Sequence, residues 1–184
     1  AASEQITELL DSLRDLASER RTITPVPASI DQTIRHAIDG VRGRPELRNR
    51  SILLTTSGDM AGVFDPKKME RAFFNLTMNA CEAAPERQGK IAIDIVSTAD
   101  SFEIRVSDNG SGIPASIRNT LFDPFVSSGK SNGTGLGLAI VSKVVHDHGG
   151  VVTVDCTSEA GTVFLIKIPR TQPELDAIPQ KVTT

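Results

Sequence analysis

Between Pro66 and Ala84, four polar side chains, Arg71, Asn75, Asn79 and Glu82, recur at spacings of 4, 4 and 3 residues. On a helix turning about 100° per residue they share one narrow stripe, beside an apolar face of Met69, Ala72, Phe73, Leu76, Ala80 and Ala83. Asparagine is a poor residue for a helix interior, because its side chain competes for backbone hydrogen bonds. Two asparagines one turn apart beside apolar neighbours therefore point to ligand contacts. Their amide oxygens are neutral, hard ligands of the kind that suit Mg²⁺ carrying phosphate oxygens and water. On spacing alone the stripe reads first as a solvated helix face.

Two glycine-bearing segments add to this. Asp108-Asn109-Gly110-Ser111-Gly112-Ile113 follows an apolar-polar alternation. It reads as a turn, and also as a carboxylate at a strand end that accepts a hydrogen bond from a ligand amine while the glycines admit the ligand to the backbone. Gly133-Thr134-Gly135-Leu136-Gly137-Leu138 opens a helix. Backbone N–H groups at such a helix start, reached through glycine, form a phosphate site, to which Lys130 adds a charge and Thr134 a hydroxyl. The pattern is neither a P-loop nor a dinucleotide-binding fingerprint, and alone it also reads as an ordinary flexible loop. Six of the 14 glycines fall between Gly110 and Gly137.

Composition narrows the classes. The 184 residues carry a net charge of −3 and include no Trp, no Tyr and seven Phe. No global basic field or base-stacking platform is present, so nucleic acid is not an expected partner. No apolar run approaches the roughly 20 residues of a membrane span, and the first residues lack the basic and apolar regions of a signal peptide. Two cysteines, Cys81 and Cys156, are too few for a disulfide scaffold and show no metal spacing. A cytoplasmic chain with free thiols is expected, whether or not a parent protein is membrane-anchored.

The elements that position these residues follow from periodicity. Residues 1–20 read as an amphipathic helix that packs either on its own domain or, as its heptad-like step favours, in a bundle or a homodimer. Thr24-Pro25-Val26-Pro27 reads as an extended linker, and Ser29 as the N-cap of a second helix. Residues 51–56 and 62–64 are strand candidates. Asp65-Pro66 starts the helix that carries the asparagines. Residues 91–97 and 102–107 form a hairpin, residues 136–148 a helix, and residues 151–156 and 162–168 a second hairpin. Residues 170–184 read as a polar tail or linker. Strands that come in adjacent pairs predict an α+β fold, a two-layer α/β sandwich whose mixed, mostly antiparallel sheet carries helices on one face.

In this order the motifs resemble the catalytic, ATP-binding domain of bacterial two-component sensor histidine kinases, of the gyrase, histidine kinase and MutL ATP-binding superfamily. Asn75-Leu76-Thr77-Met78-Asn79-Ala80 is similar to the N box and Asp108-Asn109-Gly110-Ser111-Gly112 to the G1 box. Phe122-Asp123-Pro124-Phe125 is similar to the F box, and Gly133-Thr134-Gly135-Leu136-Gly137-Leu138-Ala139-Ile140 to the G2 box. The likeness spans about residues 25–169. The segment from Asn79 to Ala84 and that from Phe125 to Lys130 are similar to the nitrogen-regulation-type branch.

The resemblance implies a Bergerat-type sandwich over residues 23–169 that binds Mg-ATP under a lid of about residues 114–132, with residues 1–22 as the end of a dimerisation and phosphotransfer helix. It implies Asn79 as the Mg²⁺ ligand, supported by Asn75, with Glu82 beside them. Asp108 would accept from the adenine amino group in a pocket shaped by Gly110, Gly112 and Ile113. Phe122 and Phe125 would anchor the lid. Gly133, Thr134, Gly135, Leu136 and Gly137 would wrap the phosphates, and Lys130 would position the γ-phosphate. The implied partners are the dimerisation/phosphoacceptor domain of the same kinase and a response regulator receiver domain.

Two departures stand out. Many family members carry a basic residue where Glu82 stands, so a phosphate-binding cation is missing there, for which Lys130 or Arg87 would compensate. The phosphoacceptor motif is also absent, since His36, His146 and His148 fit it poorly. Relatives that hydrolyse ATP place a water-activating Glu where this chain has Asn75, so hydrolysis is expected to be very slow. Alternatives are an anti-sigma-type kinase acting on serine and a non-catalytic nucleotide-binding module.

Overall fold

A computed structural model describes residues 23–126 and 134–171, together with Leu13 and Leu16. The expected helix over residues 1–20 and the polar tail therefore lie almost wholly outside the described residues. Leu13 and Leu16 are helical, and Leu16 packs against the core.

The segment read as a linker is extended, but it is also paired. Val26–Ser29 (β1) forms an antiparallel ribbon with Ala61–Phe64 (β3), with Val26 opposite Phe64 and Ser29 opposite Ala61. Pro27 is tolerated because a two-stranded ribbon has free edges that need no donor from it. Helix α1, Ile30–Arg42, buries Ile30, Ile34, Ala37, Ile38 and Val41 at helical spacing. Ser29 holds its N-cap position without capping it. Its hydroxyl turns to the Asp31 carboxylate, and its carbonyl accepts from the Thr33 hydroxyl at 2.9 Å. Gly43 ends α1, and a single 3₁₀ turn, Pro45–Leu47, leads to β2, Ser51–Ser57.

Helix α2, Pro66–Ala83, begins as its sequence dictates. Asp65 caps it by accepting from the Lys68 N–H at 3.1 Å, and Pro66 takes the first position, where a missing N–H costs nothing. Its buried face is Met69, Ala72, Phe73, Leu76, Thr77, Ala80 and Cys81. Burial pushes the Cys81 thiol up to about 11, so it stays protonated and inert near neutral pH.

Hairpins β4–β5 (Lys90–Ser97, Ser101–Asp108) and β6–β7 (Val151–Ser158, Gly161–Pro169) join β2 in one five-stranded sheet of order β2-β4-β5-β7-β6. β2 runs parallel to β4, and every other pair is antiparallel. The period-2 pattern sorts the two faces. Ile91, Ile93, Ile95, Phe102, Ile104, Val106, Phe164, Ile166 and Ile168 face inward and are buried. The outer face carries the ion pairs Arg105–Asp155 and Lys167–Glu103. Helices α1, α2 and α3 (Gly137–Asp147) cover the inner face alone, which is the expected two-layer sandwich. Truncating one of the buried Ile or Phe side chains to Ala costs about 2–5 kcal/mol.

The fold also extends past Pro169. The Arg170 guanidinium donates to the Ala61 carbonyl at 2.8 Å and pairs with Asp59, while its own carbonyl accepts from Val63 N–H at 2.7 Å. Arg170 thus fastens β3 to the end of β7 and belongs to the folded domain, not to the tail.

Candidate functional site

A cleft of about 490 Å³ opens between α2, the segment after β5 and the start of α3. Asn75, Asn79, Glu82, Asp108, Gly112, Ile113, Thr134, Gly135 and Gly137 all line it. Asn75, Asn79 and Glu82 of the α2 stripe therefore face a cavity that Thr134 and Gly135, just before α3, also line, whereas Arg71 lies off it. A second hollow, lined by Arg118, Phe122, Asp155 and Cys156 beside β6, holds none of these residues.

At one end of the cleft the chain turns sharply after β5. Asp108 Oδ1 accepts from the Gly110 N–H at 2.8 Å. Asn109 stitches the turn to its surroundings, its Oδ1 accepting from Lys90 N–H at 2.8 Å and its Nδ2 donating to the Gln88 carbonyl at 3.1 Å. Gly112 has φ +75°, and a Cβ there would meet the Ser158 carbonyl oxygen at 2.1 Å, so only glycine fits. The next N–H, of Ile113, donates to Thr157 Oγ1 at 2.8 Å. Gly110 lies behind the cleft wall, where a Cβ would stand 2.5 Å from the Ala83 carbonyl oxygen.

At the other end Asn75 and Asn79 lie under the first turn of α3. A Cβ on Gly137 would stand 3.5 Å from Asn79 Nδ2, so backbone and amide nearly touch. Among the described residues no side chain caps α3. Its first N–H groups thus keep the positive end of the helix dipole directed at the cleft. Asn75 Nδ2 is buried and has no hydrogen-bond partner among the described residues. A buried amide donor left without an acceptor costs about 1–3 kcal/mol. An anionic oxygen bound in the cleft would supply that acceptor. The oxygens of Asn79 and Glu82 are hard donors of the type Mg²⁺ takes, alongside phosphate and water. Among the described residues no cluster of three or more His, Cys, Asp or Glu forms an all-protein metal cage. The donor set therefore fits a metal carried in with a phosphate ligand.

The remaining expected site residues are placed differently. Leu136 is buried, its side chain in the core while its backbone holds the entry to α3. Phe125 is 69% exposed and off the cleft wall. Its backbone, at φ +67°, turns outward and is tied to the loop by an N–H bond to the Gly135 carbonyl at 2.9 Å. Phe122 instead packs edge-on against Phe164, with centroids 6.4 Å apart and planes at 72°. Lys130 and Gly133 lie outside the described residues. Arg87 is exposed in the turn before β4 and does not reach the cleft.

Arg44, Phe74, Thr162 and Phe164 also line the cleft, and the sequence reading missed them. Thr162 and Phe164 sit at strand positions that read as plain core. Phe74 and Met78 are one helical turn apart beside the stripe, a spacing that marks the apolar rim of a polar helix face.

Of the histidines, His36 and His146 are exposed and off the cleft, and His148 is fully buried. His148 closes α3 against α2. Its Nε2 accepts from the Asp65 N–H at 3.0 Å and its Nδ1–H donates to the Val144 carbonyl at 2.7 Å. Burial pulls its pKa below the usual histidine value, against the hydrogen bond to Val144 and the nearby Asp65 and Asp147 carboxylates.

A two-layer sandwich with an asparagine stripe under an uncapped helix start, and a carboxylate turn opposite, defines a nucleotide-binding domain of the ATPase type. Residues 64–172 match the family described as "Histidine kinase-, DNA gyrase B-, and HSP90-like ATPase", and the chain belongs to it. Among relatives, the sensory histidine kinase/phosphatase NtrB of Azospirillum brasilense is 44% identical over 114 residues, 53% of this chain and 27% of that protein. NtrB of Rhizobium leguminosarum bv. phaseoli is 29% identical over 91% of this chain and 47% of its own length. The chain thus spans less than half the length of either relative. Among solved structures, the mycobacterial sensor histidine kinase MprB superposes with a TM-score of 0.71 at 28% identity, covering 80% of this chain and all of that one. The catalytic domain of histidine kinase ThkA gives 0.70 at 28% identity, covering 80% of this chain and 99% of its own. No helix among the described residues is long and apolar enough to cross a membrane.

Proposed function

We propose that this chain binds Mg-ATP and passes the γ-phosphoryl group to a histidine on the dimerisation domain of a sensor kinase, from which a response regulator receives it. The observation that carries this reading is the buried Asn75 Nδ2, without a partner among the described residues, beside Asn79 and under the start of α3 in a cleft of nucleotide size. Relatives named as sensor histidine kinases support it, and one neighbour in fold, ThkA, is known in complex with the response regulator TrrA.

Each residue has a task in this reading. Asp108 accepts from the exocyclic amine of adenine. Asn75 donates to a phosphate oxygen, and the first N–H groups of α3 face the phosphates. Asn79, with Glu82 nearby, holds Mg²⁺, which when bound neutralises phosphate charge. Phosphoryl transfer of this kind needs positioning and charge neutralisation more than covalent chemistry from the protein. The histidine nitrogen attacks the γ-phosphorus with its own lone pair, the bond to the bridging oxygen breaks, and ADP departs with that electron pair. No residue of the cleft has to remove a proton from the nucleophile.

Calorimetry with ATP, with and without Mg²⁺, tests the binding step. Wild type binds in a Mg²⁺-dependent manner, and Asn79→Ala loses that dependence while unfolding at an unchanged urea midpoint. Labelled ATP with a dimerisation domain added in trans tests the transfer, which gives acid-labile phosphate. Acid-stable phosphate would move the assignment to a serine kinase, and absence of Mg²⁺-dependent binding would refute the reading.

A further inference from the structure

The cleft as described is short of positive charge. Its charged lining residues are Glu82, Asp108 and Arg44, so the one cation on the described wall is an arginine outside every motif. Its position is built by the chain on both sides. Gly43 ends α1, and Pro45 forces the residue before it out of helical geometry, so Arg44 stands extended at φ −87°, ψ 116°. Its N–H is satisfied by the Val41 carbonyl at 3.0 Å. The guanidinium lies 5.4 Å from the centroid of the Phe74 ring. That ring is itself seated against Gly40, where a Cβ would come within 3.3 Å of two ring carbons. Gly40, Phe74 and Arg44 thus form one stack that aims a half-buried cation along the cleft. No carboxylate among the described residues pairs with it.

Position along α2 says what the cation meets. Ala83 abuts the Gly110 turn, at the Asp108 end of the cleft. Phe74 precedes Ala83 by nine residues, about 13 Å of helix rise, and adjoins Asn75. The cleft therefore runs from a carboxylate turn at one end, past Asn79 and Gly137, to Asn75, Phe74 and Arg44 at the other. A nucleotide whose base sits against Asp108 extends its phosphates toward Arg44.

We propose that Arg44 is a positioning residue that binds the terminal phosphate of ATP, supplying from the α1–β2 connection the charge that Glu82 does not supply from α2. This rests on the nucleotide reading of the cleft and adds to it a residue that distinguishes ATP from ADP. The guanidinium suits this task because it is always charged, presents a planar fork of donors to phosphate, and is held in place by stacking on an aromatic ring.

Calorimetric titration of wild type, Arg44→Met and Arg44→Lys with Mg-ATP and Mg-ADP tests it. Arg44→Met keeps the stem over Phe74 and removes the charge. ATP affinity is expected to fall about tenfold, as for loss of a hydrogen bond to a charged group. ADP affinity should change less than about twofold, and Arg44→Lys should recover a part of the ATP affinity. Equal weakening of ATP and ADP by Arg44→Met would show a merely structural residue and overturn the assignment. So would unchanged ATP affinity, including the case in which only transfer to a histidine domain slows. A wild-type protein that binds neither nucleotide would overturn the nucleotide reading itself, and Arg44 with it.

Discussion

A methyl group added at Gly137 is expected to move stability and ligand binding in opposite directions. Gly137 is the first residue of α3 and its φ is not in the left-handed region, so alanine adopts its backbone without strain. In the folded chain the new Cβ meets Asn79 Nδ2 at 3.5 Å and Asn75 Cβ and Asn79 Oδ1 at 3.9 Å, all ordinary contact distances. Nothing native is displaced, and the unfolded chain loses conformational freedom. Gly137→Ala should therefore stabilise the domain by about 0.4–1 kcal/mol. Contacting heavy atoms sit about 3.5–4.0 Å apart, so the methyl leaves no layer of atoms between α3 and the two asparagines. A phosphate or hydrated metal held there must leave, and ATP affinity should fall at least about tenfold, or about 1.4 kcal/mol. Urea unfolding read by circular dichroism gives the first quantity and calorimetric titration with Mg-ATP the second. A variant that is more stable and binds ATP as wild type does would refute the placement of the phosphates under α3. A destabilised variant would refute the reading of the Gly137 contacts as open.

Two further outcomes follow from the same geometry. The pKa of His148 is lowered on folding, so between that value and the ordinary value near 6.5 the unfolded chain holds the extra proton. The stability from neutral His148 is complete above about pH 6.5 and is lost as pH falls through the folded value, by up to about 1.4 kcal/mol per pH unit. His148→Gln retains an acceptor for the Asp65 N–H but does not titrate. Its urea midpoint should lose that component of the acid slope, and identical slopes in the two proteins would refute the assignment. At Asn75, a glutamate would give an attacking water the base that an amide cannot provide, a contribution of about 10²–10⁴ in general-base catalysis. Wild type should hydrolyse ATP very slowly and Asn75→Glu at least tenfold faster, in a coupled ADP-release assay. A brisk wild-type rate would contradict the role given to Asn75.

Elements coded by local chemistry were legible in the sequence. Asp65-Pro66 declared the start of α2, and alternation around Asp100-Ser101 declared the β4–β5 hairpin. Elements that depend on distant partners were not. The parallel pairing of β2 with β4 joins segments separated by a strand and a helix, and no local period encodes it. β1 holds Pro27 and is four residues long, so it reads as a linker until β3 lies beside it. The cleft divides in the same way. Asn75 and Asn79 announce themselves as asparagines inside a helix, and Asp108 as the carboxylate of a glycine-bearing turn. Phe164 and Thr162 resemble any other strand residues, and Arg44 resembles any surface cation. The Asp65–His148 bond spans 83 residues, and no pattern of spacing reveals it.

The two ends of the cleft differ in how they tolerate change. Around Asp108 the wall is backbone against backbone. A Cβ at Gly161 would stand 1.9 Å from the Asp108 carbonyl oxygen, one at Gly112 2.1 Å from that of Ser158, and one at Gly110 2.5 Å from that of Ala83. Main chain cannot rotate aside as a side chain does, so these three positions admit no other residue without moving a turn. The Arg44 end is a stack of side chains on a short connection, where substitution alters charge and reach but leaves the scaffold intact. Sequence drift is thus barred from one end of the cleft and open at the other. Divergence among chains of this fold has room to retune how the far end of a ligand is held while the turn at Asp108 stays fixed.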